Sequence, residues 1–366
     1  MAGSVFGEIL KISTWGESHG AAVGAVIDGC PSGLDINEEY VQGFLNRRRP
    51  GQSAFTTQRS ETDAVNIMSG VYEGTTLGTP ISMMVYNQSQ ISKDYSDLEN
   101  VYRPGHADYG FQVKYGIRDH RGGGRSSGRE TIGRVMGGAV AEKILDRFGV
   151  TFTSYVSKIG NIEIDRSRFD KDEIMRNSLY MPDCIAAAEA EAYLKDLIEK
   201  KDSSGAEVEC IVSGLAPGIG ETVFDKLDAR IAGAVMSIGG VKAVEIGDGC
   251  AVSAAVGSVN NDKFRMVDGK VTKETNHSGG ILGGMSDGSD IIVRVSFKPT
   301  PSIYQKQNTV NRDGENTEIE IHGRHDPIIA PRAVVVVESM IALVIADLYM
   351  LNSVSRMDRL ENIYKK

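Results

Sequence analysis

AVVVVESMIALVIADLYML, residues 333–351, is the most apolar stretch of the chain, and the two acids inside it decide how it reads. A run this long and apolar meets the length requirement for crossing a bilayer. Glu338 and Asp347 would then lie in hydrocarbon, where charge is expensive. The segment therefore predicts a buried helix and no membrane association, with Pro331 at a favoured first helical position. Working outward, 37–48 predicts a helix with an Asn37 cap, Glu38 and Glu39 at its start and Arg47 and Arg48 at its end, a polarity that suits the helix dipole. Helical spacing recurs over 130–149 with Gly149 as the stop, and 183–201 is alanine-rich behind Asp183. Strand alternation runs through GAEVECIVSGL (205–215), DIIVRVSFKP (290–299) and TEIEIHG (317–323), and VDGK (267–270) reads as a hairpin tip. Helices interleave with strands joined by short turns, so the fold class is α+β with antiparallel pairs and no βαβ rhythm.

Composition narrows the function. The chain has 366 residues and a net charge of -9, which argues against a nucleic-acid partner, because phosphate affinity comes from basic residues. Any basic site must be local. The 42 glycines exceed the usual ~7% and imply tight turns and backbone-lined sites. Cys30, Cys184, Cys210 and Cys250 form no CxxC pair, so no metal site is expected and a reducing cytoplasmic setting is the default. The N-terminal residues lack the layout of a signal peptide.

The local basic site is RPGHADYGFQVKYGIRDHRGGGRSSGRE, 103–130. Its second half is a glycine- and arginine-rich loop leading into a helix near Glu130, where free N–H groups and partial positive charge attract anions. Arg125 and Arg129 add charged forks, and Ser126 and Ser127 add hydroxyl donors. The Gly123–Gly128 spacing matches a P-loop, but Arg129 and Glu130 stand where Lys and Ser/Thr are required. In the first half, Pro104–Gly105 turns the chain between Arg103 and His106, a candidate general acid beside an arginine-bound anion. GESHG (16–20) presents His19 before an apolar strand. RRRPG (47–51) either complements a helix dipole or covers a charged substrate. GGILGGMSDG (279–288) suits a flat cofactor lying on backbone. KPTPS (298–302) ends a strand with donors. GRHDP (323–327) is either a surface Arg–Asp pair or an acid–base carboxylate held by an arginine.

Together GESHG, RRRPG, RPGHAD, RGGGRSS, NHSGGILGG, KPTPS and GRHDP, in this order over nearly the whole chain, resemble the chorismate synthase family. The resemblance implies a single domain over 1–366, a β-α-β sandwich in which two antiparallel sheets enclose a helical layer, and a homotetramer. It implies that 5-enolpyruvylshikimate 3-phosphate loses phosphate and a ring hydrogen in a 1,4-anti elimination, giving chorismate with reduced FMN required. NADPH bound by the chain, or a separate flavin reductase, is implied as the reductant. By resemblance His106 protonates the departing phosphate, His19 acts near flavin N1 and Asp326 manages the proton at N5. Arg48, Arg103, Arg129 and Arg324 face substrate. Arg125, Ser126, Ser127, Gly239, Gly240, Gly283, Lys298, Pro299, Thr300, Pro301, Ser302 and Arg324 contact FMN, and Arg48 also a pyridine nucleotide.

Four features depart from the family's usual pattern: Ala54 in place of an arginine, Gly110, Gly128, and the pair Gly239–Gly240. Looser loops and altered cofactor affinity are expected from them. A non-catalytic phosphate-binding module competes with the lyase, but binding alone needs no paired proton-transfer groups such as His19, His106 and Asp326. A conventional flavin oxidoreductase lacks support without a dinucleotide fingerprint.

Overall fold

Two five-stranded antiparallel sheets enclose a helical layer in the computed structural model, which describes residues 3–51, 55, 61–87, 98–321 and 326–365. The first sheet comprises β1 (Val5–Phe6), β2 (Lys11–Gly16), β3 (Ala22–Asp28), β4 (Val65–Ser69) and, beyond the small hairpin of β5 (Val71–Tyr72) and β6 (Thr75–Thr76), β7 (Ile81–Tyr86). Its spatial order is β1-β2-β3-β7-β4. The second sheet comprises β8 (Thr151–Ile159), β9 (Ile162–Glu163), β10 (Ala206–Ser213), β11 (Val241–Ile246) and, beyond the hairpins β12 (Phe264–Val267)–β13 (Lys270–Lys273) and β14 (Ile281–Leu282)–β15 (Met285–Ser286), β16 (Ile291–Phe297). Here the order is β11-β16-β10-β8-β9, and a last hairpin pairs β17 (Lys306–Val310) with β18 (Asn316–Glu320).

The helices are α1 (Glu38–Arg48), α2 (Asp108–Tyr115), α3 (Thr131–Asp146), α4 (Cys184–Glu199), α5 (Leu227–Met236), the short α6 (Gly257–Asn260), α7 (Ala330–Leu351) and α8 (Met357–Tyr364). The apolar stretch at 333–351 is α7, the spine of the layer. It packs on α1, α3 and α5 on its flanks and on β8 and β10 of the second sheet, while α3 packs on β2, β3 and β7 of the first. Each fully buried Val, Leu or Ile contributes roughly 1.5–3 kcal/mol, and α7 buries such residues all the way round. The helix is long and apolar enough to cross a membrane, yet it is enclosed by protein.

Its two acids are matched inside the core. Glu338 takes a bidentate bond from Arg47 of α1, at 2.5 and 2.9 Å. Asp347 accepts the backbone N–H groups of Glu8, Ile9 and Leu10 and pairs with Arg230 at 3.2 Å. Buried charge persists only with such partners. Small residues set the layer spacing: a side chain at Gly138 of α3 would overlap Ser339 of α7, and one at Gly133 would meet Thr14 of β2. The caps follow the sequence. Asn37 accepts from the N–H of Tyr40, and Asp183 from those of Ile185 and Ala186. The VDGK hairpin tip and the strands at 206–213 and 291–297 form as expected.

Candidate active site

At one end of the helical layer a cavity of about 600 Å³ opens between the α1 terminus, the 103–107 turn, the 123–131 loop and the 297–302 strand exit. Among the described residues its lining carries seven basic groups (Arg48, Arg103, Arg125, Arg129, Arg134, Lys298, Arg332) and two acids (Glu130, Asp326). The positive charge missing from the chain as a whole is concentrated here. The cavity also has an apolar side, made by Ile238, Phe297, Ile329, Ala333 and Val336.

Turn geometry brings distant segments together. Gly105 has φ +70, and a Cβ there would fall 2.6 Å from Cβ of Pro301, so the RPGH turn can lie against KPTPS only with glycine at that position. Lys298 Nζ donates to the Gly105 carbonyl at 2.7 Å across this seam. His106 is held on both ring nitrogens, with Nδ1 3.0 Å from the Pro104 carbonyl oxygen and Nε2 3.0 Å from Ser302 Oγ. A carbonyl only accepts, so Nδ1 carries hydrogen. In the neutral ring Nε2 then accepts from the Ser302 hydroxyl.

The arginines are held by acids and carbonyls. Arg103 forks onto Asp108, with Nε and Nη2 both at 2.8 Å. Burial alone would raise the Asp108 carboxyl, but the Arg103 bonds and charge outweigh it and hold it below the ordinary range. Arg48, 1% exposed, donates to Thr131 Oγ1 at 3.0 Å, Asp63 Oδ2 at 2.9 Å and the Gly128 carbonyl at 2.7 Å. Burial first, then the neighbouring Arg332 and Arg129, draw its proton affinity down to about 9 against the pull of Asp63. Arg129 donates from Nε to Asn87 Oδ1 at 2.8 Å and from Nη1 to Asp63 Oδ1 at 3.1 Å, and Nη1 also lies 2.8 Å from Glu61. Its Nη2 is buried with no hydrogen-bond partner among the described residues. Arg332 ties Asp326 at 2.6 Å and donates from Nε to the Arg48 carbonyl at 3.1 Å.

The sequence model of the chorismate synthase family matches residues 10–350. The chain is 58% identical to a chorismate synthase of Agathobacter rectalis over 366 residues, covering 100% of both. It is 53% identical to that of Methanococcoides burtonii over 350 residues, covering 95% of this chain and 96% of the relative. The chain belongs to the chorismate synthase family. A crystal structure of a chorismate synthase superposes with a TM-score of 0.76 at 30% identity, covering 98% of this chain and 97% of that one.

Of the residues expected from the chorismate synthase resemblance, Arg48, Arg103, His106, Arg125, Ser126, Ser127, Arg129, Gly239, Gly240, Lys298, Pro299, Thr300, Pro301, Ser302 and Asp326 all border the one cavity. Arg324 and Ala54 lie outside the described residues. Two expectations part from the cavity. His19 is not in the lining. It sits beside Ser18 Oγ at 3.2 Å and against Gly122, where any side chain would overlap its ring, although the next residue, Gly123, does line the cavity. Gly283 forms the β14–β15 turn at φ +62, outside the lining, and the left-handed backbone of that turn accounts for the glycine. Arg125 lines the cavity, but its guanidinium turns to β2, donating to Thr14 Oγ1 at 2.6 Å and to the Gly16 carbonyl at 3.3 Å. The departures Gly110, Gly128 and Gly239 each have open space where a methyl would stand, so those substitutions are sterically neutral in the fold.

Sequence reasoning missed the acids behind the arginines, Asp63, Glu61 and Asp108, and the basic lining residues Arg134 and Arg332. Asp63 and Glu61 lie in ETDAV, which has no motif character. Arg332 was legible only as a residue in the first turn of α7. Arg118, unassigned by sequence, is structural. It pairs with Asp108 at 3.1 Å and donates to the carbonyls of Leu98 and Glu99.

Proposed function

We propose that this carbon–oxygen lyase runs its reaction in the cavity described above with reduced FMN as cofactor. The reaction is the 1,4-elimination of phosphate from 5-enolpyruvylshikimate 3-phosphate, in which a C–O and a C–H bond break, a C=C bond forms, and chorismate and phosphate leave. One observation carries the placement: a single cavity joins a surplus of arginines to a histidine held on both ring nitrogens and a carboxylate held by an arginine. The substrate bears a phosphate and two carboxylates, which need matched positive charge to leave water.

The residues present fit a flavin. The apolar side of the cavity and the small Gly239 suit a flat ring, and Thr300 Oγ1 is buried there without a partner among the described residues. Residues 123–129 and 298–302 would hold it. Bound there, reduced FMN supplies electron density to the allylic system and a base for the departing ring proton, without net redox change. The protein does the rest. Arg48, Arg103 and Arg129 hold the anions. His106, with Nδ1–H fixed on Pro104, gives a proton from Nε2 of its doubly protonated ring to the departing phosphate and is left as the neutral ring. Asp326 is oriented by its 2.6 Å pairing with Arg332. His19 acts from beyond the glycine loop.

An anaerobic assay with chemically reduced FMN and the enolpyruvyl substrate tests this reading. Chorismate and phosphate are expected in equal amounts, and the absence of both would sink it. NADPH is the proposed reductant, either on this chain or through a separate flavin reductase. Aerobic turnover from NADPH and oxidised FMN with the pure protein marks the first route, and its absence the second. The continuous core from Leu10 to Leu348 supports reading 1–366 as one domain. Four free thiols support a reducing, cytoplasmic setting.

A further inference from the structure

We infer that Asp63 is a positioning residue for the elimination: its two carboxylate oxygens clamp Arg48 and Arg129 together and leave the free edge of Arg129 for the substrate anion. Oδ2 takes Arg48 Nη1 at 2.9 Å and Oδ1 takes Arg129 Nη1 at 3.1 Å, while the Asp63 side chain is 0% exposed. A fully buried carboxylate is stable only when so paired. Two guanidiniums sharing one acid would otherwise repel, and no other carboxylate among the described residues pairs with Arg48. Glu61 adds a second acid to Arg129 but is not paired with Arg48.

Two further observations give the clamp a direction. The backbone at Asp63 has φ +45, a left-handed conformation uncommon outside glycine and tolerated better by aspartate than by most residues. Strained backbone of this kind gathers where a side chain must be held in one place. And with Nη1 and Nε of Arg129 engaged, Nη2, buried and without a partner among the described residues, is the donor left over. A buried donor that the protein does not satisfy is costly until a ligand satisfies it. Asp63 thus spends part of each arginine's hydrogen-bonding capacity on geometry and keeps one nitrogen for phosphate or carboxylate.

The inference rests on the elimination reaction proposed above, so wild type is assayed alongside. The substitution is Asp63→Asn, which keeps shape but removes charge. Expected are a rise in substrate KM and in the calorimetric Kd of the enolpyruvyl substrate (measured with oxidised FMN) of about tenfold to hundredfold, the range for one charge-assisted hydrogen bond. The expected kcat and FMN affinity stay near wild type. A purely structural aspartate would lower thermal stability and leave substrate KM and Kd unchanged. Substrate affinity equal to wild type overturns the inference. If Asp63→Asn does not fold, Asp63→Glu is measured instead. It keeps the charge but displaces it by one methylene, so an unchanged Kd again overturns the clamp. Absent wild-type turnover would retire the reaction, whereas the binding measurement still decides the role of Asp63.

Discussion

His106 shows how a single side chain is prepared for its task. A loop histidine is free to rotate and to change tautomer, but here a carbonyl on Nδ1 and a hydroxyl on Nε2 remove both freedoms. The fixed tautomer puts the exchangeable position on Nε2, toward Ser302 and the cavity. His106→Ala should lower anaerobic turnover by about 10²–10⁴, the usual contribution of a positioned acid, while FMN still binds. Turnover equal to wild type would remove His106 as the acid. The His106, Arg103 and Arg129 positions could be read from sequence because arginine, glycine and histidine coincide in one stretch. Asp63 and Arg332 could not. They act through other side chains, and a lone aspartate or arginine in a strand lead-in or a helix start leaves no pattern.

Among elements, the helices whose caps are written in sequence form where expected, and α4 offers a direct measurement. Asp183 is drawn down to about 2, first by the Arg168 side chain at 2.7 Å and then, against some burial, by the N–H groups of Asp165, Ala186 and Ile185. Its folded value lies below its unfolded one. The stability it contributes is therefore complete above pH ~4 and is lost as pH falls through about 2. Asp183→Ala should cost about 1–2 kcal/mol at pH 7 by loss of the cap, with the gap to wild type narrowing toward pH 2. Urea titrations at the two pH values check this, and a gap independent of pH rules out the ionised cap as its source. Among the helices that escaped sequence reading is α2, within the basic stretch. Its apolar residues are largely exposed and its end is a left-handed Gly116, so no buried stripe announces it.

For the whole molecule, the outer face of the first sheet bears on assembly. Trp15 lies across Gly24 of β3 and is 39% exposed, and Tyr86 on β7 is 55% exposed on the same face. We propose that the chain assembles as a homotetramer and that this face is part of the contact. Sedimentation should give four chain masses for wild type and a smaller species for Trp15→Glu, and an unchanged mass would take this face out of the contact. What the sequence by itself determined was local or patterned. It set the fold class, the caps, the buried helix at 331–351, the basic stretch and the family, because periodicity, turn chemistry and motif order are written along the chain. Only the tertiary structure decided which of those motifs share a cavity. It moved His19 and Gly283 out of the lining and supplied Asp63, Glu61 and Arg332 behind the arginines. The reason is physical: a buried arginine needs a counter-charge within hydrogen-bond reach, and which acid comes within that distance depends on how two sheets close on a helix.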